Sequence, residues 1–208
     1  HSTISRATRT RTSRSQTDRN SSTRSAQETS RSRSASSVRS TRSIGRSKSV
    51  CNGARPVRIR ASVLGSGTDR DLDGVDIGER LSKQAYEIAG LGPDGIDLAE
   101  LHDATAYGEL HQYEAMGFCP LGEGGPFAES GATRLGGAIP VNTSGGLECR
   151  GHPIGASGLA QIHEVVCQLR GEAGKRQVKG ARIGLTENGG GNLGVEEASM
   201  TIHILEKV

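Results

Sequence analysis

The stretch "SGGLECRGHPIGASG", residues 144–158, sets Gly145, Gly146, Gly151, Gly155 and Gly158 around His152 and Pro153. Glycine at that density weakens local order, so it marks a place where the backbone itself must come close to something. The residues that follow, "GASGLAQIHEVVCQLR" (155–170), carry Leu159, Ile162, Val165, Val166 and Leu169 at helical spacing, with Gly171 as the stop. The spacing predicts a helix over 155–170 with that apolar stripe as its buried face. Pro153 suits a first helical turn, where its missing N–H costs nothing. His152 is then expected just ahead of exposed backbone amides that favour negative charge by about 0.3–1 kcal/mol.

Working outward, "GERLSKQAYEIAG" (78–90) predicts a helix burying Leu81, Ala85 and Ile88, stopped by Gly90. Pro93-Asp94-Gly95 reads as a turn. "IDLAELHD" (96–103) reads as a buried strand ending at His102 and Asp103, and 106–117 as a helix carrying Ala106, Leu110, Tyr113 and Met116. Residues 119–146 read as a glycine-rich loop. The strands "ARIGLTE" (181–187) and "EEASMTIHILEK" (196–207) read as a hairpin, with Ala198, Met200, Ile202 and Ile204 alternating against Ser199, Thr201 and His203. Strands and helices in this order predict an α/β fold with a mixed sheet flanked by helices.

Composition splits the chain near residue 55. Residues 1–50 hold 12 Lys/Arg against Asp18 and Glu28, together with 16 Ser and 8 Thr; the remainder has 14 basic and 21 acidic residues. The net charge is therefore +10 on one side and −7 on the other, and the overall +3 describes neither. A segment so poor in apolar residues cannot offset a chain entropy of about 1–2 kcal/mol per residue. Residues 1–54 are read as a low-complexity, disordered tail, with three origins open: a basic arm on nucleic acid, an organelle transit peptide, or a shifted reading frame. Aromatic residues for base stacking are not interleaved, so nucleic acid is not the expected partner. Residues 55–208 are read as the globular domain.

Cys51, Cys119, Cys149 and Cys167 form no CxxC pair, and no signal peptide or long apolar run is visible; a cytoplasmic, membrane-free protein is expected. An opening on His1 suggests a fragment. Two matches to GxGxxG, at 90–95 and 189–194, lack the strand-then-helix setting of a dinucleotide site and read as turns. "DRDLDG" (69–74) begins like a calcium loop, but Arg80 stands where the bidentate Glu is required, so it reads as a charged surface loop and no metal is expected.

Three segments place a polar group beside glycine at the end of a strand or the start of a helix: "HDAT" (102–105), "GHPIGASG" (151–158) and "TENGGGNLG" (186–194). Together with "ELHDATAYGELHQYEAMGFCPLGEGG" and "VNTSGGLECRGHPIGASGLAQ", they resemble the C-terminal half of the thiolase superfamily, in its sterol-carrier or lipid-transfer branch, over about residues 55–208. The resemblance implies an acyltransferase acting on a coenzyme A thioester, without further cofactor, and an oligomeric full-length protein. It assigns His152 the activation of a nucleophilic cysteine and His102 a place in the oxyanion hole. Gly189 and Gly190 match the hairpin loop of the family's second catalytic cysteine, and Gly151, Gly155 and Asn142 are expected to border substrate or support the histidines.

The sequence departs from that pattern in three ways. The N-terminal half that carries the nucleophile has no counterpart, Glu187 stands at the second-cysteine position, and Ala104 stands at the alternative cysteine position. Glu187 is either a base raised toward neutrality by burial or a structural carboxylate holding the hairpin. The C-terminal half alone is expected to be inactive. A thiolase-like aldolase or a non-catalytic subunit is the alternative within the same fold.

Overall fold

The structure, a computed structural model, describes residues 55–208; the readings of the basic tail lie outside the described residues. Nine elements follow in order: β1 (Val57–Ser66), α1 (Ile77–Ala89), β2 (Leu98–Glu100), α2 (Ala106–Ala115), α3 (Gly124–Glu129), α4 (Gly146–Arg150), α5 (Ser157–Arg170), β3 (Ile183–Gly190) and β4 (Ser199–Lys207). The four strands form one mixed sheet in the order β1-β4-β3-β2. β4 pairs antiparallel with both β1 and β3, while β2 runs parallel to β3.

Helices cover both faces of this sheet. On one, α1 and α2 pack over Ala61, Val63, Leu185, Met200, Ile202 and Ile204. On the other, Val165 and Leu169 of α5 meet Leu98 and Leu205. Each Val, Leu, Ile or Met among them contributes about 1.5–3 kcal/mol on burial.

α1 starts where the Asp76 side chain accepts the Gly78 N–H at 2.6 Å, and stops at Gly90 in the left-handed conformation (φ 65°). Its buried face is Ile77, Leu81, Ala85 and Ala89, whereas Ile88, expected inside, is 55 % exposed. The helix begins one residue earlier than its apolar pattern suggests, and the i, i+4 series counts from Ile77. α2 is capped by Thr105, whose Oγ1 accepts from Gly108 N–H at 2.9 Å; of the four residues expected to anchor it, Tyr113 and Met116 are buried and Ala106 is exposed.

α5 corrects its expectation more sharply. Leu159 is 69 % exposed, and the buried stripe is Ser157, Gln161, Glu164 and Gln168, flanked by Val165 and Leu169. The reason is the backbone that α5 faces. Gln161 Nε2 donates to the Glu187 carbonyl at 2.8 Å, Gln168 donates to the Arg176 carbonyl at 2.7 Å, and Gln168 Oε1 accepts from Val178 N–H at 2.8 Å. These groups would otherwise be buried without partners, so the helix turns a polar stripe toward them.

β1 is absent from the sequence reading. It is an edge strand whose Ala61 and Val63 alone are fully buried, and a register shift between Ile59 and Ala61 blurs its alternation. The stretch from 119 to 146, read as a loop, contains α3 and the start of α4.

Candidate functional site

β2 is parallel to β3, so both strands deliver their C-terminal ends to the same edge of the sheet. His102 leaves β2 there. Its backbone N–H donates to Glu187 Oε2 at 2.9 Å, and its Nδ1 lies 2.9 Å from Asn188 Nδ2. The amide also donates to Gln161 Oε1 at 3.1 Å, so it is Asn188 that donates to the ring. An imidazole accepting at Nδ1 carries its proton on Nε2 when neutral. Burial holds His102 below the ordinary histidine range, helped by the neighbouring His152 and opposed by Asp103. The ring is thus a neutral donor at pH 7.

His152 arrives from the other side of the chain. Asp103, buried beside His102, accepts from Leu147 N–H at 2.7 Å and from Glu148 N–H at 3.4 Å, which anchors α4 against the end of β2. The chain leaves α4 at Gly151, whose φ of 85° turns it toward His102. The two rings meet edge to face with centroids 5.0 Å apart. His152 Nδ1 lies 2.8 Å from Ser157 Oγ, which also lies 3.2 Å from the Pro153 carbonyl. The hydroxyl has one proton for these two neighbours: given to Pro153, it leaves the ring to donate from Nδ1 with Nε2 bare, the reverse of His102.

Pro153 does not occupy the first turn of α5 as expected. Ala156 and Ser157 N–H donate to its carbonyl at 2.8 and 2.9 Å, so a separate turn precedes the helix, which starts at Ser157. The link between His152 and the helix is the Ser157 side chain.

A cavity of about 490 Å³ opens at the ring pair, lined by His102, His152, Ala104, Asn188 and the glycines 189–191. Gly189 and Gly190 stand on its wall. Gly151 and Gly155 do not; a Cβ at either would meet open space, and Gly151 serves the chain turn instead. Asn142 is also off the wall. Its Oδ1 accepts from Leu101 N–H at 2.8 Å, its Nδ2 donates to Glu109 at 3.1 Å, and it supports His102 through the neighbouring backbone alone. His152 is an exposed residue, whereas His102 is half-buried.

Glu187 lies beneath the site. It is 0 % exposed, shares its strand face with Leu185, and does not line the cavity. Burial pushes its carboxyl up to about 8 against the His102 N–H bond that lowers it, and the charges of Glu197, Asp76 and Asp103 add to the rise. Oε1 has no hydrogen-bond partner. Ala104 is on the wall, and none of Cys119, Cys149 and Cys167 is, so no described thiol faces the cavity.

Three residues that organise the site escaped the sequence reading: Asp103, Asn188 and Ser157. Each sits inside a quoted motif, next to the residue that drew attention. "DRDLDG" is a loop whose Arg70 side chain reaches Asp76 and buried Glu196 at 3.1 and 2.7 Å. No cluster of three potential metal ligands occurs among the described residues, and no described helix is long and apolar enough to cross a membrane.

A family model described as "Thiolase C-terminal domain-like" matches residues 67–207. The acetyl-CoA acetyltransferase of Methanothermobacter thermautotrophicus is 47% identical over 157 residues, covering 73% of this chain and 40% of that protein. Sterol carrier protein 2 of Rattus norvegicus is 50% identical over 115 residues, 55% of this chain and 21% of that one. The benzoylsuccinyl-CoA thiolase subunit BbsB of Thauera aromatica is 42% identical over 142 residues, 66% of this chain and 37% of that one. Among solved structures, an "Ltp2-ChsH2(DUF35) aldolase" superposes with a TM-score of 0.62 at 29% identity, over 74% of this chain and 40% of that chain. The chain spans less than half the length of each of these proteins.

Proposed function

The chain belongs to the thiolase C-terminal domain-like family, and from that premise we propose that it is the histidine-bearing half of an acyl-CoA acyltransferase. The observation that carries the reading is the pair of imidazoles whose centroids lie 5.0 Å apart at the cavity, and the reading gives them opposite tautomers. His152, bare at Nε2, takes the proton from a cysteine thiol supplied from outside residues 55–208. His102, protonated at Nε2, donates to the oxygen that becomes negative as the thiolate attacks a thioester carbonyl. The glycine wall at 189–191 lets the thioester approach the backbone closely. On this reading coenzyme A thioester is the substrate, no further cofactor takes part, and the intact protein is a cytoplasmic homo-oligomer.

Glu187 acts here as a structural carboxyl, because it holds the His102 backbone from below the cavity floor. The 208-residue chain has no thiolysis activity on its own. The test is a chimaera in which residues 67–207 replace the matching part of the 47%-identical acetyltransferase. Thiolysis of acetoacetyl-CoA returns, and His102→Ala slows it by about 10²–10³. A folded chimaera whose rate is unchanged by both His102→Ala and His152→Ala sinks the proposal. Robust thiolysis by the 208-residue chain alone also contradicts it.

A second reading, thiolase-like aldol cleavage, draws support from the aldolase superposition. It predicts that the same chimaera cleaves a β-hydroxyacyl-CoA and fails on acetoacetyl-CoA.

A further inference from the structure

The cavity at the histidine pair has one carboxylate on its wall, and it is Glu197. The two acids of the hairpin's return diverge. Glu196 turns inward, where its carboxylate takes Thr68 N–H, Ile77 N–H and the Arg70 guanidinium. Glu197 lies across the hairpin instead. A Cβ built on Gly189 would fall 2.9 Å from Glu197 Cγ and 3.2 Å from its Oε1, so a glycine at 189 is what gives the side chain its path. Gln112 Nε2 of α2 reaches Glu197 Oε1 at 3.5 Å and steers it from behind. Glu197 also borders a second cavity of about 400 Å³, whose other charged or titratable lining groups are Arg70, Asp76, Tyr107, His111 and Glu196.

Resting on the acyl-CoA reading above, we propose that Glu197 is a further catalytic residue, the base that removes a proton from the α-carbon of a coenzyme A thioester held at His102 and His152. The step is balanced within the site. The α-carbon–hydrogen bond breaks, the proton passes to the Glu197 carboxylate, and the bonding pair becomes an enolate whose oxygen accepts from His102 Nε2–H. The return step restores the proton to carbon. The two carboxyls are separated in task by their surroundings. Glu187, on the same hairpin face but fully buried, keeps its proton at pH 7, with the charge of Glu197 among the causes. Glu197 faces the cavity. Position 187, which the resemblance sets at the family's second catalytic cysteine, is thereby relieved of a base's task by a residue ten places later.

The test uses the 208-residue chain with glutamate Cδ labelled by ¹³C, and acetyl-CoA in deuterium oxide. Three results support the assignment. At pH 7 the resonance lost in Glu187→Gln is that of a protonated carboxyl and the one lost in Glu197→Gln that of an ionised one. Acetyl-CoA exchanges its methyl protons for deuterium, and Glu197→Gln slows that exchange by about 10² or more. Glu187→Gln, an isostere of the neutral acid, slows the exchange far less than Glu197→Gln does. A protonated Glu197, exchange that survives Glu197→Gln, or exchange abolished by Glu187→Gln overturns the proposal. No exchange in the unaltered chain, while acetyl-CoA still shifts the His102 and His152 resonances, overturns it and leaves the acyl-CoA reading standing. No shift of either ring overturns both.

Discussion

The carboxylate of Asp103 fills the space where a side chain at Gly146 would begin: a Cβ there would fall 2.6 Å from the carboxyl carbon. Gly146 also has a φ of 64°. The contact fixes α4, and hence His152, against the strand end that carries His102. Gly146→Ala is expected to cost about 1–3 kcal/mol of stability in urea unfolding, and the nuclear Overhauser contact between the two rings should vanish. Asp103→Ala should remove the same contact by leaving the Leu147 N–H without its acceptor. An intact ring contact in both variants would show that α4 is held some other way.

The opposite tautomers proposed for the two imidazoles have a direct spectroscopic check. Long-range ¹⁵N–¹H correlations should show His102 protonated at Nε2 and His152 at Nδ1 at neutral pH. Gln161→Leu removes the acceptor of one Asn188 amide hydrogen and the donor to the Glu187 carbonyl. It should release the Asn188 amide, shift the His102 tautomer balance, and lower stability by about 1–3 kcal/mol. His152 should keep its tautomer, because Ser157 holds it independently.

Two buried carboxyls give the fold a pH signature. Burial raises Glu187 to about 8 and Glu100 to about 7, the latter despite its bonds to the Ser144 N–H and hydroxyl. A folded value above the unfolded one means stability that is complete below the unfolded value and lost as pH rises through the folded value. Stability should therefore fall from about pH 5 to about pH 8. His102 acts with the opposite sign, since its depressed value costs stability only at lower pH. The cleanest window is thus between the ordinary histidine range and the Glu187 value. Glu187→Gln should flatten the slope there, as read from urea midpoints.

Much of this architecture is legible in the residues. The β3–β4 hairpin follows from strict alternation at Met200, Ile202 and Ile204, and α1 and α5 from helical spacing and their closing glycines. Other parts depend on partners that no local pattern reveals. β1 looks too polar for a strand because its neighbour β4 comes from the far end of the domain. The polar stripe of α5 mimics a solvent face because Gln161 and Gln168 serve loop backbone distant in sequence. The ring pair is readable as two motifs, but the directions of their protons depend on Asn188 and Ser157, whose roles exist only in three dimensions. Glu187 stands out by alignment, while the cavity carboxylate, Glu197, sits in a turn with no motif of its own.

The 67–76 loop hangs on one arginine. Arg70 pairs with Glu196 at 2.7 Å and Asp76 at 3.1 Å, and donates to the carbonyls of Asp71 and Gly74 at 3.0 Å each. Glu196 is 6 % exposed, and its bonds to the Thr68 and Ile77 N–H groups and to Arg70 outweigh burial and hold it below the usual carboxylate range. Arg70→Ala should cost about 1.5–3 kcal/mol by removing the hydrogen-bonded cation and leaving Glu196 with Arg80 alone, at 3.8 Å. Adding Glu196→Gln should recover part of the loss. If the single and double variants unfold at the same urea concentration, the ion pair is not what holds the loop.

The strand order has a consequence for the nascent chain. β4, last to be made of the described strands, is an interior strand, so β1 has no partner among the described strands until almost the whole domain has been synthesised. Such a waiting edge invites self-association. Arg58 and Arg60 are well placed as gatekeepers during that interval, and both then converge on Glu206 once β4 docks. Replacing the two arginines with valine should raise β-propensity yet lower the soluble yield, a penalty that falls on biogenesis rather than on the finished fold.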